Sequence, residues 1–299
     1  MAKAPTIAKT IALYYKSREY LDLKWKTQLD YESHLTKICA TKIGRKVLAN
    51  YTLDEIKASH LNQAYNIWLE SGIRTANYRK AVLGAVWKYA MRNDMTDRNP
   101  LMGIRTKSTK PRKVKWEREH IKAFFDVAYS DFRYRSIGLI VHMAYSWAQR
   151  IGDMRLLKWD SLDLDTCRLD LTQSKRNADV HLPIADGLCD MLRKQKEDFG
   201  FQEYVAPRVK PRAGAYTPYD MTEISPLINE VLIQANLPME LTAMDLRRTA
   251  VTEMLEAGVD IASIRQVTGH KNMNSVTPYM VNTFSGASKA LAARGNDDD

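Results

Sequence analysis

The sequence predicts a mainly α-helical chain in two domains, with one small antiparallel β-sheet in the second. Three observations lead there. Apolar residues recur at helical spacing over most of the chain. One stretch, "RLDLTQSKRNADVHLPI" (168–184), changes to the alternation of a β-hairpin, with polar "QSKRNA" between its two arms. Between the halves lies "RTKSTKPRKVKW" (105–116), half of it Lys or Arg, with a proline and no acid. Like charges repel and Pro111 disfavours helix, so this segment reads as an extended basic linker.

Residues 1–104 are expected to form a bundle of four short helices. "TIALYYKSREYLDL" and "KTQLDYESHLTKICATKI" carry apolar residues at helical spacing. "TLDEIKASHLNQAYNIWLES" opens with Thr52 and, three residues on, Glu55, a capping-box pattern. "TANYRKAVLGAVWKYAMRND" completes the set, and "DRNPLMG" stops it. In the second domain, 117–299, "EREHIKAFFDVAYS" and "YRSIGLIVHMAYSWA" predict helices, the latter apolar enough to be central. After the hairpin, helices are expected at 186–199, 222–236, 245–257, 260–267 and in a short piece reaching Tyr279. A tail follows from about 281, helical over 285–293.

Composition narrows the function. A chain of 299 residues has room for two ordinary cores, and its 45% apolar and 27% charged residues are those of a soluble globular protein. No apolar run approaches the roughly 18 residues that span a bilayer. The start, "MAKAPTIAKTIALYY", lacks the apolar core of a secretory signal. Cys39, Cys167 and Cys189 are odd in number and widely spaced, which suggests neither a disulfide framework nor a zinc site. The expected setting is a reducing cytoplasm, with no metal, no cofactor and no membrane. A net charge of +10 selects a polyanionic partner, nucleic acid before membrane.

The chemistry concentrates in "LTAMDLRRTAVTEMLEAGVDIASIRQVTGHKNMNSVTPYM" (241–280). Thr242 or Asp245 can cap a helix that carries Arg247 near its start, where the helix dipole is already positive, a placement that makes sense with an anion nearby. Two tight connections bring Arg247, His270 and Tyr279 within plausible reach. Each also has a plain reading: surface arginine, helix cap, packing tyrosine.

This segment resembles the C-terminal signature of the tyrosine recombinases, the lambda-type integrase family, with its arginine helix, its Gly-His turn and a tyrosine nine residues later. "YSWAQRIGDMRLLKWDSLDLDT" resembles the family's first arginine box, with Arg150 three positions before Asp153, and "QSKRNADVHLPI" the hairpin of its catalytic lysine, Lys175. The helical first half resembles the core-binding domain that clamps DNA opposite the catalytic domain, so nearly the whole chain is covered.

The resemblance implies a site-specific DNA recombinase, most simply a phage or mobile-element integrase, that cuts and rejoins through a 3′-phosphotyrosine. Tyr279 is then the nucleophile. Arg150 and Arg247 hold the scissile phosphate, because a guanidinium donates paired hydrogen bonds that an ammonium cannot. Lys175 protonates the leaving 5′ oxygen, His270 bonds the phosphate, and Asp153 orients its neighbours, Arg150 among them. Lys107, Lys110, Arg112, Lys113 and Lys115 cross the duplex backbone; Arg79, Lys80, Lys88 and Arg92 are weaker candidates to face a groove. The implied partners are double-stranded DNA attachment sites, three further copies in a homotetramer on two duplexes, and DNA-bending or excision-directing accessory proteins. With the bundle read as starting almost at Met1, a further N-terminal arm-site domain is not expected.

One position departs from the family pattern. Three residues before Arg247, where the family usually has histidine, stands Met244, whose thioether neither takes up nor donates a proton. Other readings stay open: a resolvase of chromosome or plasmid dimers, a type IB topoisomerase-like enzyme, and a DNA-binding relative with a weakened site.

Overall fold

A computed structural model of the chain describes residues 4–109, 112, 114–175, 177–269, 288, 291 and 292. The chain divides into two units, Met1–Arg112 and Lys113–Asp299. No helix among the described residues is long and apolar enough to cross a membrane.

In the first unit, Thr6 and Ser17 cap the helices α1 (Ile7–Tyr14) and α2 (Arg18–Leu21) by accepting from backbone N–H groups. Then come α3 (Trp25–Cys39), α4 (Ala58–Leu69) and α5 (Ile73–Arg92). Their apolar faces close on Trp68 and Trp87, both about fully buried, whose indole N–H groups donate to Thr41 Oγ1 and the Arg98 carbonyl at 2.8 Å each. Two expectations need correction. The unit is not all-helical: β1 (Lys42–Ile43) pairs antiparallel with β2 (Lys46–Val47), around Gly44 at φ +58°. The reciprocal bonds of Thr52 and Glu55 do form, but α4 starts only at Ala58, so the pair closes a turn ahead of the helix.

In the second unit, α6 (Arg118–Ser130) packs on α7 (Phe132–Ser146), whose residues from Tyr134 to Ala144 are mostly buried, as its apolar sequence requires. A single turn, α8 (Ile151–Met154), leads to a three-stranded antiparallel sheet of β3 (Leu162–Asp163), β4 (Arg168–Thr172) and β5 (Asp179–Pro183) in that order. Leu169 faces Leu182 across β4–β5, and burial alternates along β5. Helices α9 (Asp186–Phe199), α10 (Met221–Gln234), α11 (Ala243–Glu256) and α12 (Ile261–Thr268) complete the unit. Trp116, assigned to the linker by its basic surroundings, belongs to this core. It is fully buried, and its N–H groups donate to Thr249 Oγ1 and the Thr242 carbonyl of the α11 region.

The cysteine expectation is also overturned. Cys167, in the β3–β4 turn, and Cys189, on α9, are joined by a disulfide, with Cα atoms 6.0 Å apart. Their separation of 22 residues hid this, because folding of the sheet against α9 brings them together. Cys39 carries a free thiol.

Candidate active site

The path to Arg150 begins where α7 ends. Ala148 takes a left-handed conformation at φ +50°, and Gln149 N–H reaches back to the Ala144 carbonyl at 3.0 Å, turning the chain sharply. Glycine would enter this conformation with less strain, but the alanine methyl is buried against Ala250, Val251 and Ile264. Arg150 then stands at the N-cap position of α8, making no side-chain capping bond, with a quarter of its side chain exposed. Asp153, one turn on and 4% exposed, faces it at 3.8 Å. The other carboxylate oxygen accepts from the Ser174 N–H (3.0 Å) and hydroxyl (2.5 Å). Asp153 thus fastens the β4–β5 turn to the arginine box. A buried carboxylate needs such partners.

That turn carries Lys175, which is exposed, and closes with Asn177 at φ +46°, a conformation asparagine tolerates. Two residues before Lys175, the fully buried Gln173 uses both ends of its amide. Its oxygen accepts from Arg150 Nη1 at 2.9 Å, and its nitrogen donates to Gln149 Oε1 at 2.6 Å and the Thr268 carbonyl at 2.8 Å. Gln149 in turn donates to the Val267 carbonyl at 2.7 Å.

Arg247 comes from the opposite side. Thr242 caps α11, its N–H and hydroxyl both donating to Asp245. The helix then buries Arg247 to 7% exposure, with Nη2 donating to the same Thr268 carbonyl at 2.7 Å. The two guanidiniums are therefore joined through one amide and one carbonyl. Gly269 ends α12 at φ +65°, and a Cβ there would lie 2.8 Å from the Gln173 amide nitrogen. Backbone conformation and close approach both call for glycine.

Arg150, Asp153 and Arg247 thus meet in one cluster, with Lys175 on the hairpin fastened to it. His270 and Tyr279 lie outside the described residues, as do Lys110, Lys113 and the short helix expected before Tyr279. Met244 is 87% exposed in the first turn of α11. Among the expected DNA contacts, Lys107 has an exposed side chain, while its main chain bonds to Tyr65 and Asn77 of the first unit. Arg112 is half-buried. Lys115 is ion-paired with Glu256 at 3.0 Å, and that hydrogen bond holds its ammonium above the usual lysine range. The groove-facing reading fails for Arg79, which is buried. Lys80 donates to the Ile104 carbonyl, Arg92 pairs with Glu19, and Lys88 is exposed. Gln149, Gln173 and Ser174 were not singled out from the sequence. The available signal was Gln173 itself, a polar residue at an inward position of the strand alternation Leu169, Leu171, Gln173.

Paired guanidiniums beside a lysine-bearing hairpin supply donors that match an anionic, phosphate-like group. Comparison with known proteins gives the class its family. Residues 115–285 match the phage integrase family, more than half of the chain, and the chain belongs to it. It is a tyrosine recombinase, a site-specific enzyme that transfers DNA strands. Tyrosine recombinase XerC of Pediococcus pentosaceus is 22% identical over 226 residues, 69% of this chain and 71% of that one. The Tn1549 transposon integrase in complex with a circular intermediate DNA superposes with a TM-score of 0.77 at 17% identity, covering 96% of this chain and 99% of that one. A lambda integrase tetramer bound to a Holliday junction gives 0.75 at 18% identity, covering 93% and 78%. At such identities the structural likeness concerns the fold.

Proposed function

We propose that this recombinase is the integrase of a phage or other mobile element, with Tyr279 as its nucleophile. In this reading the Tyr279 oxygen attacks a backbone phosphorus in line, and the bond to the 5′ oxygen breaks. The extra negative charge on the non-bridging oxygens is met by Arg150 and Arg247, with His270 adding a hydrogen bond. Lys175, on its exposed turn, delivers a proton to the leaving oxygen. A free phenol is protonated at neutral pH, so Tyr279 loses its proton to water or a phosphate oxygen as it attacks. The phosphotyrosine bond conserves the energy of the cut, so rejoining needs no nucleotide. Asp153 orients Arg150 and the hairpin.

The observation that carries the proposal is the convergence of Arg150 and Arg247 on Gln173 and the Thr268 carbonyl, next to the Lys175 hairpin. The first unit would clamp DNA opposite the second, with Lys107, Lys110, Arg112, Lys113 and Lys115 along the backbone; Lys115 exchanges Glu256 for phosphate. Four copies would act on two duplexes of attachment-site DNA, the tail after Tyr279 docking on a neighbour, with bending or excision factors setting direction. The likeness to XerC keeps a second reading, a dimer-resolving recombinase. DNA flanking the gene separates the two: a tRNA gene or short direct repeats support integration, and their absence at a chromosomal resolution site supports the other.

The chemical test starts by letting the protein select its site from a random duplex library. Nicked suicide duplexes of the selected sequence should trap a covalent adduct with the native chain and none with Tyr279→Phe. An adduct that survives Tyr279→Phe removes the tyrosine from its role. Relaxation of supercoiled plasmid lacking the selected sequence would point to topoisomerase-like action.

A further inference from the structure

We infer that Gln173 is a positioning residue for strand cleavage: its single amide sets Arg150, Arg247 and the lysine hairpin relative to one another. This rests on the cleavage reading above. The amide is fully buried at the end of β4, and every polar atom it has is engaged. Its oxygen accepts a hydrogen bond from Arg150 Nη1, and its two N–H groups donate to Gln149 and to the Thr268 carbonyl. Chemistry dictates this orientation. A guanidinium offers only donors, so the oxygen must face Arg150; a carbonyl offers only an acceptor, so the nitrogen must face Thr268.

Three chain segments that are far apart in sequence therefore meet on one side chain. Thr268 lies 95 residues from Gln173 and also accepts from Arg247, so a shift of the amide moves both guanidiniums. Ser174, the next residue, is bound to Asp153, which adds a second tie between the hairpin and the Arg150 turn. Gln149 gives a second support by holding the Val267 carbonyl. Gly269 leaves no Cβ where the amide sits. Displacement of reacting groups by ~1 Å costs about 10²-fold in rate, which is the scale to expect if this support is lost.

The test compares the native chain with Gln173→Leu and Gln173→Glu on the nicked suicide duplexes of the selected sequence, following single-turnover adduct formation, affinity for intact duplex and thermal melting. Gln173→Leu should slow adduct formation by about 10²-fold while duplex affinity stays within about threefold, since affinity comes from phosphate contacts elsewhere. Gln173→Glu gives a sharper sign. Ionised, it has only acceptors and opposes the Thr268 and Gln149 oxygens; protonated, it keeps an acceptor for Arg150 and offers one O–H donor, restoring one of the amide's two donations. Its rate relative to the native chain should therefore rise as pH falls from about 8 to about 5.5. The inference is overturned if both variants cleave within about threefold of the native rate. It is also overturned if the Gln173→Glu ratio is flat with pH, or if both variants fail to fold, which would make Gln173 a core residue only. Absence of any Tyr279-dependent adduct with the native chain overturns the cleavage reading and this inference with it.

Discussion

Arg79 of α5 and Arg247 of α11 are both buried, at 9% and 7% exposure, yet they sit in different chemical company. Arg79 lies near His34, whose imidazole is held below its ordinary pKa by burial first, with Arg79 and Lys37 adding repulsion and Asp30 opposing them. Its helix neighbours are committed to local structure, Lys80 to a carbonyl and Arg92 to Glu19. Arg247 shares a carbonyl acceptor with the amide that holds a second guanidinium. A buried cation by itself marks packing. Two guanidiniums that share neutral oxygen acceptors, with one carboxylate, Asp153, beside the first of them, have donors suited to an anion.

The strongest way to break this comparison is to exchange charge while keeping it. Arg247→Lys should lower adduct formation by roughly 10²–10³-fold, because an ammonium cannot donate two parallel hydrogen bonds to a phosphate. A loss below about tenfold on suicide duplexes would place Arg247 with Arg79 as a packing residue. Gly269→Ala comes next. The added methyl meets Gln173 in a left-handed backbone, so cleavage should fall about tenfold and stability by ~1–2 kcal/mol, read from adduct rates and chemical denaturation.

Arg79→Met should lower stability by ~1–3 kcal/mol and leave cleavage per folded molecule unchanged. The neighbourhood of Arg79 also predicts a pH effect. Because the folded state holds His34 below its unfolded pKa, protonation favours unfolding. Stability is therefore fully present above about pH 6.5 and declines below it. Melts at descending pH should show that slope, and Arg79→Met, by removing one source of repulsion, should make it shallower. The smallest effect is expected at Met244. Its side chain is 87% exposed, so Met244→His should disturb no packing and leave cleavage unchanged or raise it. A large fall would show an unforeseen role for the thioether.

Much of the fold was legible in advance. Strands at 168–172 and 179–183 and the helix at 186–199 fall where alternation and helical spacing put them, since those patterns depend only on near neighbours. The Thr52–Glu55 pair shows the limit of such reading: the local bonds form, yet the helix starts further on. Arg150, Asp153, Lys175 and Arg247 could be singled out because a recombinase-like order of residue types marks them. Gln173 and Gln149 could not, since an amide has no signature until its partners are known.

By itself, then, the sequence determined most of the helices, the 168–184 hairpin, the Thr242–Asp245 cap and the order of the charged residues, because each rests on contacts within a few positions along the chain. Tertiary structure alone decided that Trp116 belongs to the second core, that Cys167 meets Cys189, that Arg79 turns inward, and that Gln173 joins two arginines. Those outcomes depend on surfaces brought together from distant segments, where burial forces every polar group to find a partner.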